Sequence, residues 1–364
     1  MTYKHTNQQS LDFDQINKPS LKAVDFFCGA GGMSCGFSMA QVHILGGIDI
    51  EKQFKETYEK NHLGAKFINR NIIQYQPREL QKELNLKKFD DDLIFIGCSP
   101  CQYWSKINTN RHQSAYSNNL IYDFQRFIKY FRPGYVVVEN VPGILKKQNN
   151  HTLLNFLDFL TFHGYKYQYD LISTDRFGVP QRRKRFLLVA TRLEKSVPFP
   201  KEETNNELRV KDFIGRANGF PVLLDGHCDE NDPMNTTASL SDKNKRRIAL
   251  TPHDGGTRHA WKDDPELQIP AYEGKDNSFK SVYGRMFWSK PASTITTRFI
   301  AISCGRFAHP EENRGLSLRE GATLQTFPKN YKFIGSIGAI AKQIGNAVPP
   351  EMAKRIAFSI TNSN

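Results

Sequence analysis

The stretch Ala23-Val24-Asp25-Phe26-Phe27-Cys28-Gly29-Ala30-Gly31-Gly32-Met33-Ser34 decides the fold. Ala23 to Phe27 reads as a short apolar strand, the glycines as a tight turn, and a helix is expected from about Ser34 to Ala40. Strand, glycine turn and helix open a nucleotide-binding βαβ unit, in which the glycines let a ligand approach the backbone at the helix N-terminus. The spacing departs from G-x-G-x-x-G, because Ser34 stands at the sixth position. That weakens a dinucleotide dehydrogenase reading. On its own, such a turn is equally an ordinary βα loop.

Working outward, His43 to Ile48 is a second strand that ends at Asp49. This carboxylate lies about 20 residues past the turn, where an acid accepts hydrogen bonds from ribose hydroxyls. It also precedes Glu51, Phe54, Thr57 and Tyr58, a helical pattern that it could cap. A third strand is expected at about Ala65 to Asn69, leading to Asn71-Ile72. The apolar run Asp92 to Ile96 feeds Gly97-Cys98-Ser99-Pro100-Cys101-Gln102-Tyr103-Trp104-Ser105. A helix over Leu120–Tyr130, ended by Pro133-Gly134, and a buried strand Tyr135–Val138 then deliver Glu139-Asn140-Val141. Open α/β sheets keep their chemistry at the carboxyl ends of strands. Cys101 and Glu139 therefore emerge on the same rim.

A helix at about Leu153–Phe162 precedes a hairpin of Tyr167–Ile172 with Phe186–Ala190. Between its arms stands Gln181-Arg182-Arg183-Lys184-Arg185. Alternate residues of an extended segment share a face, so Arg183 and Arg185 point together. From about 193 to 300 the strand–helix alternation is lost. Prolines and basic clusters such as Lys243-Asn244-Lys245-Arg246-Arg247 interleave with aromatics, which suits a nucleic-acid groove or a generic basic loop region. Order returns with Leu318 to Gln325, then Gln343 to Pro350 and a closing helix to about Ile360.

The chain has 364 residues, enough for about two domains. At 39% hydrophobic and 24% charged residues, wholesale disorder is excluded. The net charge of +13 favours a polyanionic partner. Of the cysteines, Cys28, Cys35, Cys98, Cys101, Cys228 and Cys304, only Cys98-x-x-Cys101 is closely spaced. A zinc site needs a second pair at short spacing, so no metal is expected. The scatter fits a reducing compartment. The first residues carry no signal-peptide pattern, and no stretch reaches the ~18 apolar residues of a membrane span.

Together these motifs resemble the C5-cytosine-specific DNA methyltransferases, over nearly all of residues 22–358. The resemblance rests on Asp25 to Gly32, Pro100-Cys101-Gln102, Glu139-Asn140-Val141, Gln181 to Arg185, Arg319-Glu320 through Leu324 to Pro328, and Gln343 to Pro349, in this order. It implies an α/β, Rossmann-like sheet that uses S-adenosyl-L-methionine and releases S-adenosyl-L-homocysteine, with a smaller irregular target-recognition domain. The expected divisions are a mobile leader at 1–20, a catalytic and cofactor domain at 21–192, target recognition at 193–307 and a return segment at 308–364. The resemblance further implies that Phe27 stacks on the adenine, with Cys28, Gly29, Ala30 and Gly32 on the methionine side. Asp49 holds the ribose, Ile50 and Ile72 flank the adenine, and Pro100, Leu120, Asn346 and Ala347 complete the pocket. Asn71 stands where the family usually has Asp. Gln102, Ser105, Thr294 and Ile295 are implied as DNA contacts.

The implied chemistry needs these residue types. A Cys101 thiolate adds to cytosine C6 and makes C5 nucleophilic. Glu139, as an acid, meets ring N3, while Arg183 and Arg185 hold the carbonyl, the adduct or a flanking phosphate. The base must leave the duplex to reach them, and the polar loop from Gln102 to about Asn119 could close over it. The expected protein is a cytoplasmic, DNA-associated, monomeric prokaryotic modification enzyme, paired with a restriction nuclease or another anti-phage system. The rivals are a tRNA cytosine-5 methyltransferase of the same lineage and a non-catalytic DNA-binding homologue. The roughly hundred residues available for sequence reading argue against the first. Intact Cys101, Glu139 and glycine turn argue against the second.

Overall fold

The computed structural model describes residues 21–99, 120–146, 150–193, 196–203, 207–275 and 278–363. Seven strands form one sheet: β1 (Lys22–Phe26), β2 (His43–Asp49), β3 (Lys66–Asn69), β4 (Leu93–Gly97), β5 (Tyr135–Asn140), β6 (Lys166–Ser173) and β7 (Lys184–Thr191). Their order is β3-β2-β1-β4-β5-β7-β6. Neighbours from β3 to β5 are parallel, whereas β7 runs antiparallel to both β5 and β6. The order reverses between β1 and β4. In an open sheet that switch opens a crevice at the strands' carboxyl ends, because the connections leave on opposite faces.

Helices cover both faces, which explains why the central strands read as unbroken apolar runs. On one face Val24, Phe26, Phe95, Val136 and Leu188 pack with Leu80 of α3 (Pro77–Leu84), Phe124 and Phe127 of α4 (Leu120–Phe131), and Phe156 of α5 (Asn150–Phe162). On the other, Ala23, Ile94, Ile96, Val137 and Val189 pack with Phe37 of α1 (Gly32–Met39) and with Met352 and Ile356 of α9 (Pro350–Thr361). The closing helix thus completes the sheet's second face. Helix α2 (Lys55–Asn61) lies between β2 and β3 in the chain.

Helix boundaries depart from the sequence expectation where capping decides them. Helix α1 starts at Gly32 rather than near Ser34, because Gly31 takes the left-handed N-cap conformation (φ 88°). Helix α3 was not anticipated. Its signal is Pro77 in the first turn and a capping box between Gln76 and Glu79. The basic cluster at 243–247 is no loop but part of α6 (Asp242–Leu250).

Apart from α6, the described residues from about 200 to 310 carry short helical turns in place of strands. Part of it, including Val210, Ile214, Phe220 and Met286, shares a core with Leu318 and Leu324 of α7 (Leu318–Leu324) and with Ile340 and Ile344 of α8 (Ile337–Asn346). A separate small cluster holds Ile248, Trp261, Leu267, Tyr283, Ile302 and Ala308. No helix among the described residues is long and apolar enough to cross a membrane.

Candidate active site

The crevice at the switch point is a cleft of about 560 Å³. Its first wall is the turn after β1. Phe27 adopts a positive φ of 62°, and the amides of Phe27 and Cys28 donate to the Ile48 carbonyl at 2.8 and 3.1 Å. The turn is thereby pinned to β2. A Cβ on Gly32 would stand 2.3 Å from the Val348 carbonyl oxygen, so only glycine lets α1 start against the chain entering α9.

Asp49, at the end of β2, holds this turn from the side. One carboxylate oxygen accepts from the Gly29 amide at 2.9 Å and the other from the Glu51 amide at 2.8 Å. Burial raises its pKa despite these bonds. Beneath the turn, Asp25 accepts from the Ser34 amide and hydroxyl at 3.2 and 2.7 Å through one oxygen. Its other oxygen has no hydrogen-bond partner among the described residues. Burial, the largest influence, pushes Asp25 up to about 7. Asp25 lines the cleft and was not singled out from the sequence. Its signal was a lone acid inside an apolar strand.

Glu139 forms the opposite wall. Its carboxylate accepts from Arg185 Nε at 2.8 Å, with both side chains largely buried. The sheet arranges this pair, since Glu139 on β5 faces Leu187 and its neighbouring pairs run back along β7 toward Arg185. Arg183 also lines the cleft, and its Nη1 donates to the carbonyls of Ile295 and Gly345 at 3.3 and 3.2 Å. The two arginines thus reach one cleft, as their spacing requires. The neighbour of Glu139, Asn140, donates to the Ser99 hydroxyl at 3.0 Å. That bond ties the end of β5 to the chain leaving β4.

Two buried glutamines, overlooked in the sequence reading, assemble the third wall. Gln181 Nε2 donates to Gln325 Oε1 at 2.8 Å, and Gln181 Oε1 accepts from the Ile295 amide at 2.9 Å. Gln325 Nε2 donates to the Ile344 carbonyl at 2.7 Å. The arginine segment, Thr294-Ile295, α7 and α8 are fastened through one polar chain, which rigidifies a wall where no strand ladder exists.

Of the residues expected at the site, Phe27, Cys28, Gly29, Ala30, Gly32, Asp49, Ile50, Glu139, Arg183, Arg185, Thr294, Ile295, Asn346 and Ala347 line the cleft. Asn71, Ile72 and Leu120 are not among its described lining. Ile72 is buried in the core that Leu120 also packs against, and Asn71 accepts from the Ile73 amide at 3.1 Å. Pro100, Cys101, Gln102 and Ser105 lie outside the described residues. Cys28 is not placed for nucleophilic work: burial, then Asp49 and Asp25, push its thiol well up.

An open doubly wound sheet, a glycine turn at its switch point and an acid at the end of β2 define a Rossmann-like, nucleoside-binding fold. The sequence profile of the C-5 cytosine-specific DNA methylase family matches residues 21–362. The Type II methylase M.HgiDII of Herpetosiphon aurantiacus is 36% identical over 93% of this chain and 94% of its own. The Type II methyltransferase M.NgoFVII of Neisseria gonorrhoeae is 31% identical over 94% and 87%. A crystal structure from an E. coli prophage, assigned as a DNA modification methyltransferase, superposes with a TM-score of 0.73 at 19% identity, covering 94% of this chain and 99% of that one. The chain belongs to the C-5 cytosine-specific DNA methylase family and is a DNA (cytosine-5) methyltransferase.

Proposed function

We propose that the enzyme takes its methyl group from S-adenosyl-L-methionine and places it on a cytosine everted from duplex DNA, as the modification enzyme of a restriction–modification or related anti-phage system. The observation that carries the reading is the Glu139–Arg185 pair at 2.8 Å on a cleft whose other wall is the glycine turn clasped by Asp49. The turn and Asp49 suit a nucleoside. Ile50, 62% exposed at the cleft, offers an adenine an apolar face, and the unpartnered Asp25 oxygen leaves an acceptor for a cation. When bound, the cofactor supplies an electrophilic sulfonium methyl.

The chain's own residues do the rest. Cys101, as thiolate, adds to C6 of the cytosine: the S–C6 bond forms as the π pair of the C5–C6 double bond shifts toward C4 and N3. Glu139, held by Arg185, donates a hydrogen bond or proton to N3 and relieves that charge. Once C5 carries the methyl, a base takes the C5 proton, the C5–C6 double bond reforms, the S–C6 bond breaks to release Cys101 as thiolate, and any proton at N3 returns to Glu139. Arg183 and Arg185 stabilise the carbonyl side of the adduct. Target recognition falls to 193–307, the return segment to 308–364 and catalysis to 21–192. DNA is the substrate, and the enzyme acts as a monomer in the prokaryotic cytoplasm.

Incubation with methyl-labelled cofactor and either duplex DNA or tRNA tests the reading. Label is expected in DNA at C5 of cytosine, located by sequencing. A cytosine bearing fluorine at C5 cannot lose a proton there, so the Cys101 adduct should accumulate as a denaturation-resistant complex. Label in tRNA alone, or no covalent complex, overturns it.

A further inference from the structure

Beside the catalytic cleft, and sharing Thr294 with it, lies a second concavity of about 390 Å³. Arg182, Lys290, Arg306 and Phe287 stand on its walls. Its rim is fixed. The Arg182 amide donates to the Ala292 carbonyl at 3.0 Å, and the Thr294 hydroxyl donates to the Arg182 carbonyl at 2.9 Å. Lys290 Nζ lies 4.2 Å and the Arg306 guanidinium 4.9 Å from the Phe287 ring centroid. Arg306 gives its donors to the backbone carbonyls of Gly255, Gly256, Arg285 and Lys280.

Carbonyls orient a guanidinium without cancelling its charge. Among the described residues, neither Lys290 nor Arg306 is in ion-pair contact with a carboxylate, whereas Arg182 is shared by Asp175 and Glu207. Nη1 and Nη2 of Arg306 turn to these carbonyls, which fixes the guanidinium in place with its charge intact. What the two cations offer is charge, which is what a phosphate takes. We propose that this concavity is a phosphate subsite, in which Lys290 and Arg306 hold one backbone phosphate of the target strand beside the everted cytosine. Thr294 sets the neighbourhood, since a strand leaving the cleft passes it. The inference rests on the cleft being where the cytosine is methylated.

The test is the salt dependence of binding to a labelled duplex carrying the target site, from about 50 to about 200 mM salt. Loss of one phosphate contact lowers the slope of log K against log salt by about 0.9. Lys290→Ala should show that loss on the cognate duplex, and Lys290→Arg should restore it. Lys290 is exposed, so folding is not at stake. A single methylphosphonate beside the target cytosine should produce the same loss in the wild-type enzyme and make Lys290→Ala silent. An unchanged slope overturns the proposal. So does the absence of any flanking phosphate whose neutralisation silences the variant, which is what base readout by Lys290 would give. If instead the wild-type enzyme does not methylate the duplex, it is the reading of the cleft that fails.

Discussion

The sheet region and the region from about 200 to 310 solve the same problem, satisfying a buried backbone, by different means. In the sheet, strand ladders pair the carbonyls and apolar helix faces close over them. In the second region arginines stand in for strands. Arg285 is fully buried and donates to the carbonyls of Ile248, Thr251, His309 and Glu312 at 2.8, 3.0, 3.0 and 2.7 Å. Just past this region Arg314, also fully buried, pairs with Glu320 at 2.7 Å, and Glu320 caps α7 in turn. A ladder tolerates few insertions, whereas a loop gathered around one guanidinium can vary everywhere else. That is the economy expected if one part performs a fixed reaction and the other reads a DNA sequence peculiar to each enzyme.

If chemistry resides on the sheet's rim alone, rim substitutions must abolish turnover without touching recognition. Cys101→Ser should eliminate methyl transfer while cofactor and DNA binding persist. Label transfer at the wild-type rate, or loss of sequence-specific binding, breaks the division. Glu139→Gln should lower the single-turnover rate by at least ~10²-fold, the scale of general acid catalysis. It also replaces the carboxylate partner of Arg185, so Arg185→Lys is the companion variant. An unchanged rate in Glu139→Gln removes Glu139 from the reaction.

The converse variant is Arg285→Met in the arginine-pinned region. It leaves four carbonyls, three of them buried, without their donor, at about 1–3 kcal/mol for each buried one before relaxation, so a loss of roughly 5 kcal/mol is expected. Denaturant unfolding checks the sum. A change below about 1 kcal/mol would mean that water replaces the guanidinium and that Arg285 is no hub.

The same contrast governs what the sequence disclosed. The βαβ opening, the runs at 93–97 and 135–140 and the 166–191 hairpin were legible because apolar periodicity and glycine turns report directly on a buried ladder. Glu139, Arg183 and Arg185 were legible as a site because strand ends and alternation fix where they point. The buried roles of Arg285, Arg314, Gln181 and Gln325 were not. A polar residue reads as exposed unless its partners are known; those of Arg285 and Gln181 lie far along the chain, and Glu320, six residues from Arg314, itself reads as an exposed acid. Helix α6 was hidden for a related reason: of its residues only Ile248 is buried, too little for an apolar stripe to show.

Asp25 tests how far the sheet region departs from its own rule, since it is a fully buried acid where the pattern asks for an apolar residue. Its pKa rises from 3.8 to about 7 because burial outweighs the two bonds from Ser34. A carboxyl with a raised folded pKa holds its proton longer in the folded chain. Its full contribution to stability is therefore present below the unfolded pKa and is lost as pH climbs from about 4 to about 7. Asp25→Asn keeps the shape and an acceptor for Ser34 but carries no charge. The variant should match the wild-type chain near pH 4 and gain on it steadily to about pH 7, by on the order of 4 kcal/mol, with no further change above. Denaturant midpoints for both proteins across that range are the measurement. A constant difference at all pH values would show that Asp25 folds in the ionised form, with a cation or solvent reaching the oxygen that lacks a partner, and the buried-acid account of this wall of the cleft would fall.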